Sequence, residues 1–144
     1  VEEQARVGQL LSQSGGERAW QVRQELGEAL STNLGIFRTK ESMTAAGSKV
    51  RELKQRAAAV TVQDKGRVFN TDLIQALELQ CLIEIAETIV AGALAREESR
   101  GAHYRSDFPT RNDAVWLRHT LTQRTPDGVS LSYAPVTITR FQPK

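Results

Sequence analysis

The chain has 144 residues, of which 40% are hydrophobic and 25% charged, and its formal net charge at pH 7 is +2. This composition is typical of one folded globular domain, and no stretch offers the roughly 18 uninterrupted apolar residues that a membrane-spanning helix requires. The small net charge, with acidic and basic residues intermixed, argues against a nucleic-acid-binding protein.

The single cysteine, Cys81, excludes an internal disulfide framework and favours a reducing compartment. Because Cys81 lies among apolar residues of a predicted helix, we expect a buried and unreactive thiol. The first residues show neither a signal peptide nor an initiator methionine, and Met43 is the only methionine. We therefore expect the sequence to be part of a longer protein.

Residues 1–16 are predicted to be a short lead-in segment, because apolar residues at partly helical spacing are followed by a Ser-Gln-Ser-Gly-Gly run that breaks helices. Residues 17–32 are predicted to form a helix, with Glu17 near its positive N-terminal end and Asn33-Leu34-Gly35 as its stop signal. Its apolar face comprises Ala19, Val22, Leu26, Ala29 and Leu30.

The next helix begins after Thr39, whose hydroxyl can cap it, and has Glu41 in its first turn. Apolar residues then recur at alternating steps of three and four, which is the pattern of helices packed at a shallow angle. They are Met43, Ala46, Val50, Leu53 and Ala57.

A third and longer helix is predicted from Thr71 to Ser99, with Gln75 closing a capping box on Asp72 and Gly101 at the position that ends helices. Its broad apolar face is predicted to meet both other helices. That face comprises Leu73, Ile74, Leu77, Cys81, Leu82, Ile85, Ala86, Ile89, Val90 and Ala93.

The C-terminal segment has a turn signal at Thr125-Pro126-Asp127-Gly128, followed by alternating apolar and polar residues that predict a β hairpin. A β-favouring composition continues beyond Pro135, through Val136 and Ile138 to Phe141, and predicts an added strand. The fold class is therefore mainly α. We expect an antiparallel three-helix bundle, similar to a spectrin repeat, over residues 17–103, and a loop with a small β extension over residues 104–144.

Neither His103 nor His119 lies at a metal-ligand spacing, and no sequence signature of a cofactor site or an activated nucleophile is present, so we expect no catalytic, cofactor or metal residues in this chain. Arg100, His103, Arg105 and Asp107 form a charged cluster. One interpretation is a site for a dicarboxylate, because arginine pairs bidentately with carboxylates. The other, which we favour, is that the cluster holds the loop in shape or anchors it to a neighbouring domain. Trp20 and Trp116 are interpreted as packing anchors or interface residues.

Four sequence blocks resemble, in the same order, elements of the flavoprotein subunits of fumarate reductases and succinate dehydrogenases. Residues 35–43 are similar to Gly-Val-Phe-Arg-Thr-x-Glu-Ser-Leu, and residues 69–73 to Phe-Asn-Thr-x-Leu. Residues 98–105 are similar to Glu-Ser-Arg-Gly-Ala-His-x-Arg. Residues 111–121 resemble Arg-Asp-Asp followed by Trp-Leu-Lys-His-Thr-Leu, although Asn112 replaces an acidic residue.

The resemblance implies that the chain is the C-terminal helical domain of such a subunit. The parent would carry FAD, interconvert fumarate and succinate, and pass electrons to an iron–sulfur subunit, while this fragment alone would be inactive. The expected partners are the flavin-binding and capping domains of the same subunit and the iron–sulfur subunit, in a respiratory complex peripheral to the cytoplasmic side of the inner membrane. The residues expected at a domain or subunit interface are Arg100, His103, Tyr104, Arg105, Asp107 and Arg111.

Two alternatives remain at this point. L-Aspartate oxidases share the Glu-Ser-Arg-Gly element, but typically lack the blocks around Arg111 and Trp116. A stand-alone helical module that binds a partner through its bundle face would carry no flavin domain upstream.

Overall fold

The computed structural model describes residues 2–140 and confirms the mainly α fold with a helical bundle and a small hairpin. Helix α1 spans Glu2–Ser12, and α2, Ala19–Asn33, precedes a short strand β1, Phe37–Arg38. Helices α3, Lys40–Ala57, and α4, Thr71–Ala95, follow. Strand β2 is Tyr104–Arg105, α5 is Asp113–Trp116, and strands β3, Arg118–Thr125, and β4, Gly128–Pro135, complete the described chain. Helices α2, α3 and α4 pack against one another in antiparallel order.

Helix α3 lies at the centre of the core and matches its predicted boundaries and face. The Thr39 hydroxyl accepts a hydrogen bond from the backbone N–H of Ser42 at 3.2 Å, so it caps the helix as expected. All five apolar residues predicted to face the core are buried: Met43, Ala46, Val50, Leu53 and Ala57. Helix α2 contributes Ala19, Val22 and Leu26. Glu17 lies before α2 and pairs with Arg56 of α3, which ties the two helices together.

Helix α4 buries a different face from the one predicted. Its core residues are Ala76, Leu79, Ile83, Ala86, Val90 and Ala93, of which only the last three were expected. Ile74, Ile85 and Ile89 are about half exposed, and Cys81 is exposed rather than buried. The reason is that apolar residues surround this helix on nearly all sides, so their spacing does not select one face.

The predicted boundaries of α4 are also corrected by the structure. Asn70, rather than Asp72, caps the start, since its side-chain oxygen accepts the N–H of Leu73 at 2.8 Å. The helix ends at Ala95, six residues before Gly101. The Arg105 side chain donates to carbonyls at the end of α4, which satisfies acceptors that a longer helix would otherwise satisfy.

The β elements form two separate pairs. β1 and β2 pair in parallel, with Phe37 opposite Tyr104, and this pairing joins the segment before α3 to the loop after α4. β3 and β4 form the predicted antiparallel hairpin, in which Arg118 lies opposite Pro135. Residues 136–140 are not in a strand, so the added strand is not found there, and Phe141 lies outside the described residues. Pro135 ends β4 because it cannot donate a ladder hydrogen bond.

The two tryptophans differ in their environments. Trp116 is buried and makes an edge-to-face contact with Tyr133 at a centroid distance of 5.7 Å, so it anchors the hairpin. Trp20, on α2, leaves 46% of its surface exposed. None of the helices within residues 2–140 is long and apolar enough to cross a membrane.

Candidate domain interface at the Glu98–Arg111 loop

The Glu98–Arg111 loop folds back over the end of α4. The backbone N–H of Ser99 donates to the carbonyl of Thr110 at 3.2 Å and closes the base of the loop. Within it, Arg100 and His103 exchange two backbone hydrogen bonds, of 2.8 and 3.0 Å. Gly101 has a φ of +57° in the tight turn between them, a conformation that favours glycine. Gly101 therefore shapes this turn instead of ending α4.

Glu98 is the centre of the ionic network and is fully buried. Its Oε1 accepts hydrogen bonds from Nη1 of Arg96 at 2.6 Å and from Nε of Arg100 at 2.8 Å. Its Oε2 accepts from Nη2 of Arg100 at 3.1 Å and from the backbone N–H of Asn112 at 2.8 Å. Burial alone would raise the pKa of Glu98, but these hydrogen bonds outweigh it and lower the pKa to about 2. Glu98 is therefore ionised at neutral pH and joins α4, the loop and α5.

Arg105 and Asp107 form a clamp between two helix ends. The Arg105 side chain is 1% exposed, and its Nε and Nη2 donate to the two carboxylate oxygens of Asp107 at 2.7 and 2.6 Å. Its Nη1 donates to the carbonyls of Leu94 and Arg96 at 3.3 and 3.2 Å, at the C-terminus of α4. Asp107 accepts the backbone N–H of Lys40 at 3.0 Å, at the N-terminus of α3. The positive Arg105 therefore lies at the negative C-terminal end of the α4 dipole, and the negative Asp107 lies at the positive N-terminal end of the α3 dipole.

The protonation state of His103 follows from its two neighbours. Nδ1 lies 2.8 Å from Nη1 of Arg38, and Nε2 lies 3.1 Å from the carbonyl oxygen of Arg96. Because a guanidinium can only donate, Nδ1 must accept and Nε2 must carry the proton. Burial lowers the pKa of His103, and the nearby arginine charges act in the same direction. His103 is thus a neutral structural link between β1 and the end of α4.

The solvent-facing part of the loop is apolar and aromatic. Tyr104 is 37% exposed and contacts Phe37 edge to face, with ring centroids 5.5 Å apart. Phe37 and the adjacent Ile36 are 75% and 70% exposed. Arg111 pairs with Asp113 at 2.9 Å and keeps 40% of its side chain exposed. The outer surface at this end of the bundle therefore offers an aromatic patch, and the loop also carries an accessible cation at Arg111.

The structure brings Arg100, His103, Arg105 and Asp107 together at the end of α4. Each has partners within the domain, and no group of three or more histidine, cysteine, aspartate or glutamate side chains in residues 2–140 could hold a metal ion. A cleft of about 800 Å³ does occur between α4 and the tip of the hairpin, lined by residues such as Ile85 and Pro126. No lining residue of that cleft belongs to the loop.

The sequence prediction of the site residues omitted the groups that hold the cluster together. Glu98 is the shared counter-ion, Arg96 donates to the carbonyls of Trp116 and Arg118 at 2.9 and 2.8 Å, and Arg38 positions His103. One signal was available for Glu98, because it opens the motif and precedes Arg100 by two residues. Arg38 is far away in sequence, and only the β1–β2 pairing brings it to the loop.

Comparisons with known proteins agree on one family. The family model described as fumarate reductase flavoprotein C-term matches residues 23–144. A fumarate reductase flavoprotein subunit of Mycobacterium tuberculosis is 44% identical over 130 residues, covering 90% of this chain and 22% of that protein. A succinate dehydrogenase flavoprotein subunit of Rickettsia bellii is 36% identical over 136 residues, covering 94% and 23%.

The fold is shared with a solved structure of a mutant quinol fumarate reductase from Escherichia coli. The two superimpose with a TM-score of 0.91 and 40% sequence identity, over 98% of this chain and 25% of the other. The chain thus spans a quarter or less of the proteins that it matches here. It belongs to the fumarate reductase and succinate dehydrogenase flavoprotein family, as a C-terminal domain of the flavoprotein subunit.

Proposed function

We propose that this chain is the non-catalytic scaffold of a flavoprotein subunit that interconverts fumarate and succinate. The parent subunit would bind FAD and pass electrons to an iron–sulfur subunit, in a complex peripheral to the cytoplasmic side of the inner membrane. One observation carries the scaffold assignment. The charged groups of the loop that could recognise a dicarboxylate are engaged within the domain, with Arg105 buried against Asp107 and Arg100 bound to Glu98.

The loop would act as an interface with the flavin-binding or capping domain of the same subunit. Its residues divide into two roles. Arg100, His103, Arg105 and Asp107 hold the backbone in place through the contacts described above. Tyr104 and Arg111 face outward and would make the intermolecular or interdomain contacts, together with Phe37. Aromatic residues and arginine are both enriched at the centres of protein interfaces.

The function is tested on the full-length product of the gene that encodes this sequence. We expect a dinucleotide-binding glycine motif upstream, bound flavin in the purified subunit, and fumarate reduction with an artificial electron donor. The 144-residue chain alone should show no turnover, and titration with fumarate in a calorimeter should give no heat of binding. A full-length product without flavin, or saturable fumarate binding by the isolated chain, would overturn the proposal.

The interface is tested by hydrogen exchange on the isolated chain and on the full-length subunit. Amides in residues 34–40 and 103–108 should exchange more slowly in the full-length protein, because docking removes them from solvent. Residues 43–57 serve as the internal control, since α3 packs five residues into the core of this domain and its own helical hydrogen bonds protect its amides. Equal exchange of the loop amides in the two proteins would refute docking at this surface.

A further inference from the structure

Phe69 is displayed to solvent in an unfavourable backbone conformation. Its φ is +52°, the only positive φ at a non-glycine position in residues 2–140. The residue is 94% exposed, and the adjacent Val68 is 76% exposed. A left-handed backbone conformation is unfavourable for a bulky residue, and an aromatic ring left in solvent gains no stabilisation from burial.

The loop beneath Phe69 is held firmly. The Asn70 side chain is buried and donates to the carbonyls of Asp64 and Gly66 at 2.6 and 2.8 Å. Asp72 accepts the backbone N–H of Gln63 at 2.6 Å. The backbone N–H of Thr71 also donates to the carbonyl of Phe69 itself, at 2.9 Å. These bonds tie Asn70 and Thr71 to Asp64 and Gly66, so the short segment that carries Phe69 is anchored at both of its ends.

The surroundings of Phe69 define the chemistry of a partner. Arg67 is exposed and makes no hydrogen bond or ion pair with any residue in the described part of the chain. Lys65, by contrast, donates to the carbonyl of Gln13 at 2.7 Å. An aromatic ring beside an unpaired arginine fits an apolar pocket with an acidic rim. A symmetric contact between two copies of this patch would instead bring like charges together.

The position of Phe69 also separates it from the Tyr104 surface. Phe69 lies just before the start of α4, whereas Tyr104 follows its end, and a helix of 25 residues is about 37 Å long. The matched relatives are about four times longer than this chain, and the family model describes their C-terminal part. Most of such a subunit therefore precedes this domain and can contact both ends of the bundle.

We propose that Phe69, with Val68 beside it and Arg67 at its rim, is an anchor that inserts into an apolar, acid-rimmed pocket in the preceding part of the same flavoprotein subunit. This inference rests on the proposed function, because it requires the longer subunit. It adds a second attachment point at the opposite end of the bundle. A residue held rigidly in its bound conformation loses little entropy on docking, which favours tight association.

The occupant is identified by photo-crosslinking in the full-length subunit assembled with its iron–sulfur partner. The substitution Phe69→p-benzoylphenylalanine should give a crosslink within the same polypeptide, to residues upstream of this domain. Crosslinks to the iron–sulfur subunit or to a second flavoprotein copy, or none at all, would overturn the proposal. Leu121→p-benzoylphenylalanine is the matched control, since Leu121 is 49% exposed on the outer face of the hairpin.

The energetic contribution is tested by comparing Phe69→Ala in the full-length subunit and in the 144-residue chain. Protease cleavage between the domain and the preceding part should rise about tenfold to a hundredfold in the full-length variant, the change expected on losing one buried aromatic anchor. The isolated chain should keep its wild-type stability, because Phe69 makes no core contact. Phe69→Leu should restore most of the protection, and Leu121→Ala should change nothing. Unchanged cleavage in a subunit that still binds flavin and reduces fumarate would refute the anchor alone and leave the proposed function intact.

Discussion

Replacing Glu98 with glutamine should destabilise the domain strongly although the side chain keeps its shape. The carboxylate accepts four hydrogen bonds, three of them from arginine side chains, and is fully buried. Glutamine has one acceptor oxygen, and its amide hydrogens would face the remaining donors. Two charge-assisted bonds at about 1.5–3 kcal/mol each are then lost, in line with about 3–5 kcal/mol for breaking a buried ion pair. We therefore expect Glu98→Gln to lower the free energy of unfolding at pH 7 by about 3–5 kcal/mol.

The assay is urea unfolding of the 144-residue chain, followed by far-ultraviolet circular dichroism. Glu84→Gln is the matched control, because Glu84 pairs with Arg124 at the surface and its loss should cost no more than about 1 kcal/mol. The pKa of Glu98 is about 2 in the folded state, against an ordinary value of 4.5. Its contribution is therefore complete above pH 4.5 and lost as the pH falls towards 2, so the gap between wild type and Glu98→Gln should close over that range. A gap below about 1 kcal/mol at pH 7, or one independent of pH, would refute this reasoning.

Three further outcomes are expected. Arg105→Lys should lower the unfolding free energy by about 3 kcal/mol or more, because an ammonium cannot serve both carboxylate oxygens of Asp107 and the carbonyls of α4; a urea midpoint near the wild-type value would contradict the clamp. Cys81 should react completely with a thiol reagent in the folded protein without denaturant, and reaction only on unfolding would show that the thiol is covered. His103 should titrate in NMR spectra below its ordinary pKa of 6.5, so that the domain loses stability as the pH falls through 6.5; a raised pKa would mean that Arg38 does not donate to it.

The sequence predicted α3 and the hairpin well, because the boundaries of both elements are set by residues close by in the sequence. Thr39 and the three-and-four spacing from Met43 to Ala57 identify α3 and its buried face, because capping and helical periodicity are both local effects. The turn at Thr125-Pro126-Asp127-Gly128 likewise identifies the hairpin. In each of these places the local preference and the tertiary packing agree.

Several predictions failed where residues outside the local segment decided the outcome. Gly101 carries a strong helix-ending signal, yet α4 ends at Ala95, because Arg105 reaches its last carbonyls from ten residues further along. Cys81 has apolar sequence neighbours, yet it is exposed, because this side of α4 faces the open cleft beside the hairpin tip instead of the bundle core. The interface residues were predicted as a set from the motif. Some of these residues hold the loop through buried contacts and others face solvent. This difference depends on contacts with Glu98 and Arg38, which the spacing of residues in the sequence does not reveal.

The clamp between Arg105 and Asp107 bears on the order in which contacts form during folding. Asp107 meets Lys40 across 67 residues of sequence, whereas α3 and α4 are joined at their other ends by the short loop between Ala57 and Thr71. Because closing a short loop costs less chain entropy, we expect the pair of helices to form first and the clamp last. Contacts made after the transition state slow unfolding without accelerating folding. The clamp would then govern the lifetime of the folded domain, and in a chevron plot of Arg105→Lys the unfolding arm alone should shift.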